Sequence, residues 1–180
     1  MYKLVGFEIS KIQNTRKEFH KAIQLIGALP RIFLPHDPTD ASASLVWNKN
    51  RLSLESIEVK GLVAGLSFDD FSLNLYKENQ LHSKLPLVGI SVTEAMDWMK
   101  RMLSELGLAG ELLHLKLPYD IEDYDFNLPL GVDQKIGEEF ARIYHNAQIA
   151  LEKIVNKNTS AYEIRCWPHH FDIETLLQLA

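Results

Sequence analysis

Apolar positions along the chain change their spacing several times, and the changes divide it into elements. Phe19, Ala22, Ile23, Ile26 and Leu29 recur at the three-and-four spacing of a helix. A capping box, Thr15-Arg16-Lys17-Glu18, predicts where that helix starts and Pro30 where it stops. His20 falls on its flank, one turn before Gln24. From Leu45 to Tyr76 the period drops to two, through Leu45-Val46-Trp47, Leu52 and Leu54, Ile57 and Val59, Leu62 to Phe68, and Phe71, Leu73 and Leu75. Asn48-Lys49-Asn50, Lys60-Gly61 and Asp69-Asp70 supply turns short enough for hairpins, so this stretch predicts an antiparallel meander. The shift of apolar parity between Leu54 and Ile57 predicts a bulge there.

A second capping box, Ser91-Val92-Thr93-Glu94, opens a helix with Val92, Ala95, Met96, Met99, Leu103 and Leu106 on its buried stripe and Gly107 as its stop. Leu113, Leu115 and Leu117 alternate with His114 and Lys116 and predict a strand. The longest helix is expected over about Val132 to Lys157, and Tyr162, Ile164 and Cys166 then alternate as a last strand. Together the elements predict an α+β fold: one globular domain over residues 1–180, an antiparallel meander sheet with about three main helices packed on one face.

Composition narrows the class. The chain is 46% hydrophobic and 24% charged over 180 residues, enough to bury a substantial core. A net charge of -5 argues against a general nucleic-acid binder. Basic residues nevertheless gather between Lys11 and Arg31, and acids between Asp120 and Glu139, a polarity that could attract an anion or make the surface self-complementary. A lone cysteine forms no internal disulfide, the first residues lack a secretion signal, and no apolar run approaches a membrane span, so a cytoplasmic protein is expected. The acidic run Asp120 to Asp125 lacks the glycine and distal glutamate of an EF-hand and reads as a loop anchored by Tyr119, Tyr124 and Phe126.

The densest chemistry lies in Cys166-Trp167-Pro168-His169-His170-Phe171-Asp172. If this segment is extended, Trp167, His169 and Phe171 face one side, and His170 and Asp172 the other. Adjacent histidines would then be a poor chelate, and a divalent metal would need His170 and Asp172 with His36, from the proline-stiffened loop Leu34 to Ser42, or with His20. Cys166 shares the side of Tyr162 and Ile164 and reads as a small core thiol rather than a nucleophile.

The order of these features resembles a bacterial domain family of unknown function: Thr15 and His20 early, His36 before the first strand, Phe68-Asp69-Asp70 in the meander, Ser91-Val92 opening a helix, and Trp167 to Asp172 late. The resemblance implies no activity, and members of that type continue well past the Phe-Asp pair, so a C-terminal extension could be lacking here. The residues themselves predict a small-molecule binding domain, its ligand anionic, with His20, His36, His169, His170 and Asp172 around the pocket. A metal-dependent hydrolase using His36, His170 and Asp172 is the alternative, and a structural or interaction module the third. Ile173, Leu176, Leu177 and Leu179 form an apolar tail. It predicts either a terminal helical turn capped by Asp172 or a strand whose edge lies in a homodimer or a partner chain.

Overall fold

The computed structural model describes residues 8–177. Its first helix, α1 (Ile9–Phe33), is longer than the sequence predicts at both ends. Thr15 and Glu18 lie inside it, where the Glu18 amide belongs to the helical ladder, so the capping box does not form there. Pro30 does not end α1 either. The helix continues to Phe33, and the Leu34 amide donates to the Pro30 carbonyl at 2.9 Å. Every residue from Phe19 to Pro30 is buried, polar ones included, so α1 runs through the interior instead of presenting one stripe. Lys21 is accommodated there by an ion pair with Glu18 at 2.7 Å.

The meander follows as β1 (Leu45–Asn48), β2 (Ser53–Ser56), β3 (Leu62–Ser67), β4 (Ser72–Lys77) and β5 (Gln80–Pro86), each antiparallel to the next. Lys60 and Gly61 both have positive φ, 51° and 78°, as the tight turn between Val59 and Leu62 requires. The predicted bulge between Leu54 and Ile57 is replaced by a simple end to β2 at Ser56; the register shift occurs at Leu75/Tyr76 instead. Then come α2 (Val92–Glu105) and α3 (Gln134–Val155). The Ser91–Glu94 capping box is complete, and Asp133 caps α3 through the amides of Lys135 and Ile136. No strand forms over Leu113 to Leu117: a short 3-10 turn at Gly110–Leu112 leads into irregular chain, with Leu113 buried and Leu115 half-buried.

The chain closes with β6 (Arg165–Trp167) and β7 (Asp172–Glu174), giving a seven-stranded sheet in the order β5-β4-β3-β2-β1-β6-β7. The pairing of Cys166 with Leu45 carries the last residues back to the first strand. On the inner face Trp47, Phe68 and Phe171 join Phe19 of α1 and Tyr144 of α3 in one aromatic cluster, with the Phe19 and Phe68 ring centroids 4.4 Å apart. Packing of α2 against α1 completes the core. Among the described residues no helix is long and apolar enough to cross a membrane. Of the apolar tail, Ile173 lies in β7, which pairs with β6 as the outermost strand of the sheet, and Leu177 bridges to Ala161. Asp172 therefore caps no terminal helix; Leu179 lies outside the described residues.

Candidate functional site

Cys166 to Asp172 is not extended. It is a hairpin in which Trp167 pairs with Asp172 across the turn Pro168-His169-His170-Phe171. The Trp167 carbonyl accepts from the Phe171 amide at 2.8 Å, and Phe171 takes φ 55°, a conformation costly for a bulky residue. Burial of its ring among Phe19, Phe68 and Tyr144 offsets that cost. The turn also overturns the separation of the histidines: the His169 and His170 rings lie 4.1 Å apart.

A buried polar network holds the turn against α1. The Pro168 carbonyl accepts from His20 Nε2 at 2.9 Å and from Gln24 Nε2 at 2.8 Å. Because a carbonyl only accepts, His20 Nε2 carries the hydrogen, and Nδ1 of the neutral ring accepts from the Tyr124 hydroxyl at 2.9 Å. Burial lowers the His20 pKa, opposed in part by the Pro168 carbonyl, and so favours this neutral form. Burial, reinforced by Glu122, pushes the Tyr124 hydroxyl up to about 12 and keeps it a donor. On the other side the Tyr119 hydroxyl donates to Gln24 Oε1 at 2.9 Å and accepts from Arg31, which is held by both carboxylate oxygens of Asp40. The sequence pattern does not single out Gln24, Arg31 or Asp40; only the aromatic anchoring of the acidic loop points toward Tyr119 and Tyr124.

The five candidate residues thus have separate situations. His20 is enclosed and its ring nitrogens are occupied. His169 is half-buried, with Tyr119 at 5.4 Å and Trp167 at 6.1 Å between ring centroids, and burial lowers its pKa. His170 and Asp172 are exposed, as is His36 in the loop after α1. Among the described residues no group of three His, Cys, Asp or Glu side chains is placed to hold a metal ion, so His36, His170 and Asp172 form no such set. Burial pushes the Cys166 thiol up to about 12, which keeps it protonated and packed, as expected of a core residue.

A groove opens on the other face of the same hairpin. Alternation places Cys166 inward and Arg165 and Trp167 outward, and Glu174 pairs with Arg165 on that outer side. These three side chains, with Leu34, Pro35, Asp37 and Thr39 of the loop after α1, Ser44, Ile57, Tyr162, Glu163, Thr175 and Leu176, line a groove of about 860 Å³. Most of its wall is carbon. The indole N–H of Trp167 donates to Glu174 at 2.6 Å, Asp37 accepts from the amide and hydroxyl of Thr39, and Arg165 pairs with Glu163. None of the five candidate residues lines it, although Trp167 belongs to the motif that led to them. A second cavity, at the Phe68–Phe71 turn, is only about 120 Å³, and its Asp69 and Asp70 are engaged by Ser67, Ser72 and Lys84.

Fold and groove define the class: an α+β domain with its core on one face of a seven-stranded antiparallel sheet and an apolar groove at the β6–β7 end of the other. Compared with known proteins, the chain matches no family model, no curated protein and no solved structure.

Proposed function

We propose that the protein is a binding domain for a small apolar molecule, held in the groove floored by Trp167. The observation that carries this reading is the groove itself. Its volume of about 860 Å³ falls in the range of small-molecule sites, and its wall is largely apolar with a few fixed polar groups. An anion is poorly served there, because Asp37, Glu163 and Glu174 outnumber Arg165. The hydrolase reading has less support, since its proposed ligands assemble no metal set among the described residues. A purely structural role would leave an apolar concavity of this size without an occupant.

The test is a titration with the neutral fluorescent probe N-phenyl-1-naphthylamine. Saturable binding at one site is expected, lost when Ala41→Phe, in the short 3-10 turn Ala41–Ala43 that also lines the groove, fills it from the loop side. Absence of saturable binding, or binding indifferent to Ala41→Phe in a folded variant, overturns the proposal. The exposed side chains of Tyr162, Leu176 and Leu177, 57%, 56% and 45% accessible, support a second reading in which two copies associate through this surface. Light scattering checks it: a dimer mass that Leu176→Glu reduces to a monomer is the expected result, and a monomer mass for the unaltered protein contradicts it.

A further inference from the structure

The charges in the groove narrow the chemistry of its occupant. Four side chains of its wall carry formal charge, and they are not balanced: Asp37, Glu163 and Glu174 against Arg165. Arg165 is taken by Glu163, which is 79% exposed at the rim. That leaves Asp37 and Glu174, neither of which forms an ion pair among the described residues. Glu174 is half-buried, Asp37 sits on the more open loop side, and both accept from neutral donors. Glu174 takes the Trp167 indole N–H, while Asp37 takes the Thr39 amide and hydroxyl, which lower its pKa and keep it ionised. A carboxylate whose hydrogen-bond donors are all neutral is offset more by an incoming cation than by an incoming dipole. The aromatic groups beside them point the same way: Trp167 and Tyr162 line the groove, and the face of an indole or phenol ring attracts a cation.

From this charge complementarity we infer that the groove selects an amphiphilic cation, a small molecule whose apolar body lies along Leu34, Ile57 and Leu176 and whose ammonium group is held by Glu174 beside the Trp167 ring, with Asp37 adding to the negative charge of the wall. The inference rests on the proposed binding function and specifies the substrate class of the same groove. It gives Glu174 two tasks, fixing the indole through its N–H and presenting the remaining carboxylate oxygen to the ligand. The Arg165–Glu163 pair closes the rim without changing its net charge.

Three probes of one chain length separate this inference from the reading beneath it: octyltrimethylammonium, octan-1-ol and octyl sulfate, each titrated calorimetrically into the unaltered full chain. The cation is expected to bind about tenfold more tightly than the alcohol, a gain of the size that one desolvated cation–π contact supplies. Octyl sulfate is expected to bind most weakly of the three. Glu174→Gln, which keeps an acceptor for the indole, should remove most of the cation's advantage over the alcohol. Equal affinities for cation and alcohol, or a preference for the sulfate, overturn the inference while the apolar groove stands. Binding of none of the three removes both. Because the probe comparison uses the unaltered protein, the inference is decided even where the variant fails to fold.

Discussion

Gln24 and His20 are the residues on which the late hairpin depends. Gln24 is fully buried, donates to the carbonyls of His20 and Pro168, and accepts from Tyr119. Gln24→Leu leaves the Tyr119 hydroxyl without its buried acceptor, and a loss of about 1–3 kcal/mol is expected in urea denaturation. His20 adds a dependence on pH. Its folded pKa lies below the ordinary 6.5, so the folded chain takes up its proton less readily than the unfolded chain does. Stability is therefore indifferent to His20 above that value and falls as the pH drops below it, until the lowered folded value is passed. His169 acts in the same direction from a more open position. The drop in urea midpoint between about pH 7.5 and about pH 5.5 should be smaller in His20→Gln than in the unaltered protein. An equal drop in both would assign the pH dependence to other groups.

Elements meet closely at Gly137, which gives a clean prediction. A Cβ on Gly137 of α3 would stand 2.8 Å from the Phe68 carbonyl oxygen, so Gly137→Ala must push the helix off the turn between β3 and β4. A loss of about 1–3 kcal/mol is expected from the overpacking, against the gain that alanine brings to an open helix. At the start of α2, Ser91→Ala removes a complete capping box and should cost about 1 kcal/mol in the same assay. These elements also show what the sequence makes legible. The Ser91 box and the Lys60-Gly61 turn are settled by neighbouring residues, and both form as expected. The same four-residue signal at Thr15 fails, because α1 is enclosed on all sides and packing carries the helix past both local boundary signals. Edge strand β5 escapes the apolar pattern since only Leu81 and Leu85 mark it and Leu81 is exposed. The hairpin at Pro168 is hidden for another reason: its turn relies on a positive φ at Phe171, a residue type that gives no such hint.

For the whole molecule, the pairing of β6 with β1 decides where a site can exist. It brings residues from opposite ends of the chain together, the loop Leu34 to Ser44 and the strap Tyr162 to Leu176, and the groove lies between them. Local spacing indicated the chemically dense segment through Trp167, but not which of its faces opens on a cavity, because that depends on a contact spanning more than a hundred residues. On the inner face of the hairpin His20 and Gln24 hold the Pro168 carbonyl, and the outer face is the one proposed to bind. Two-dimensional amide spectroscopy of the labelled protein during titration with N-phenyl-1-naphthylamine tests this division most directly. Saturable shifts are expected at the Trp167 indole N–H and at the amides of Thr39, Ser44 and Leu176, with the buried Trp47 indole unmoved. Shifts centred on His20, Tyr124 and His170, with the Trp167 indole N–H unaffected, would contradict it.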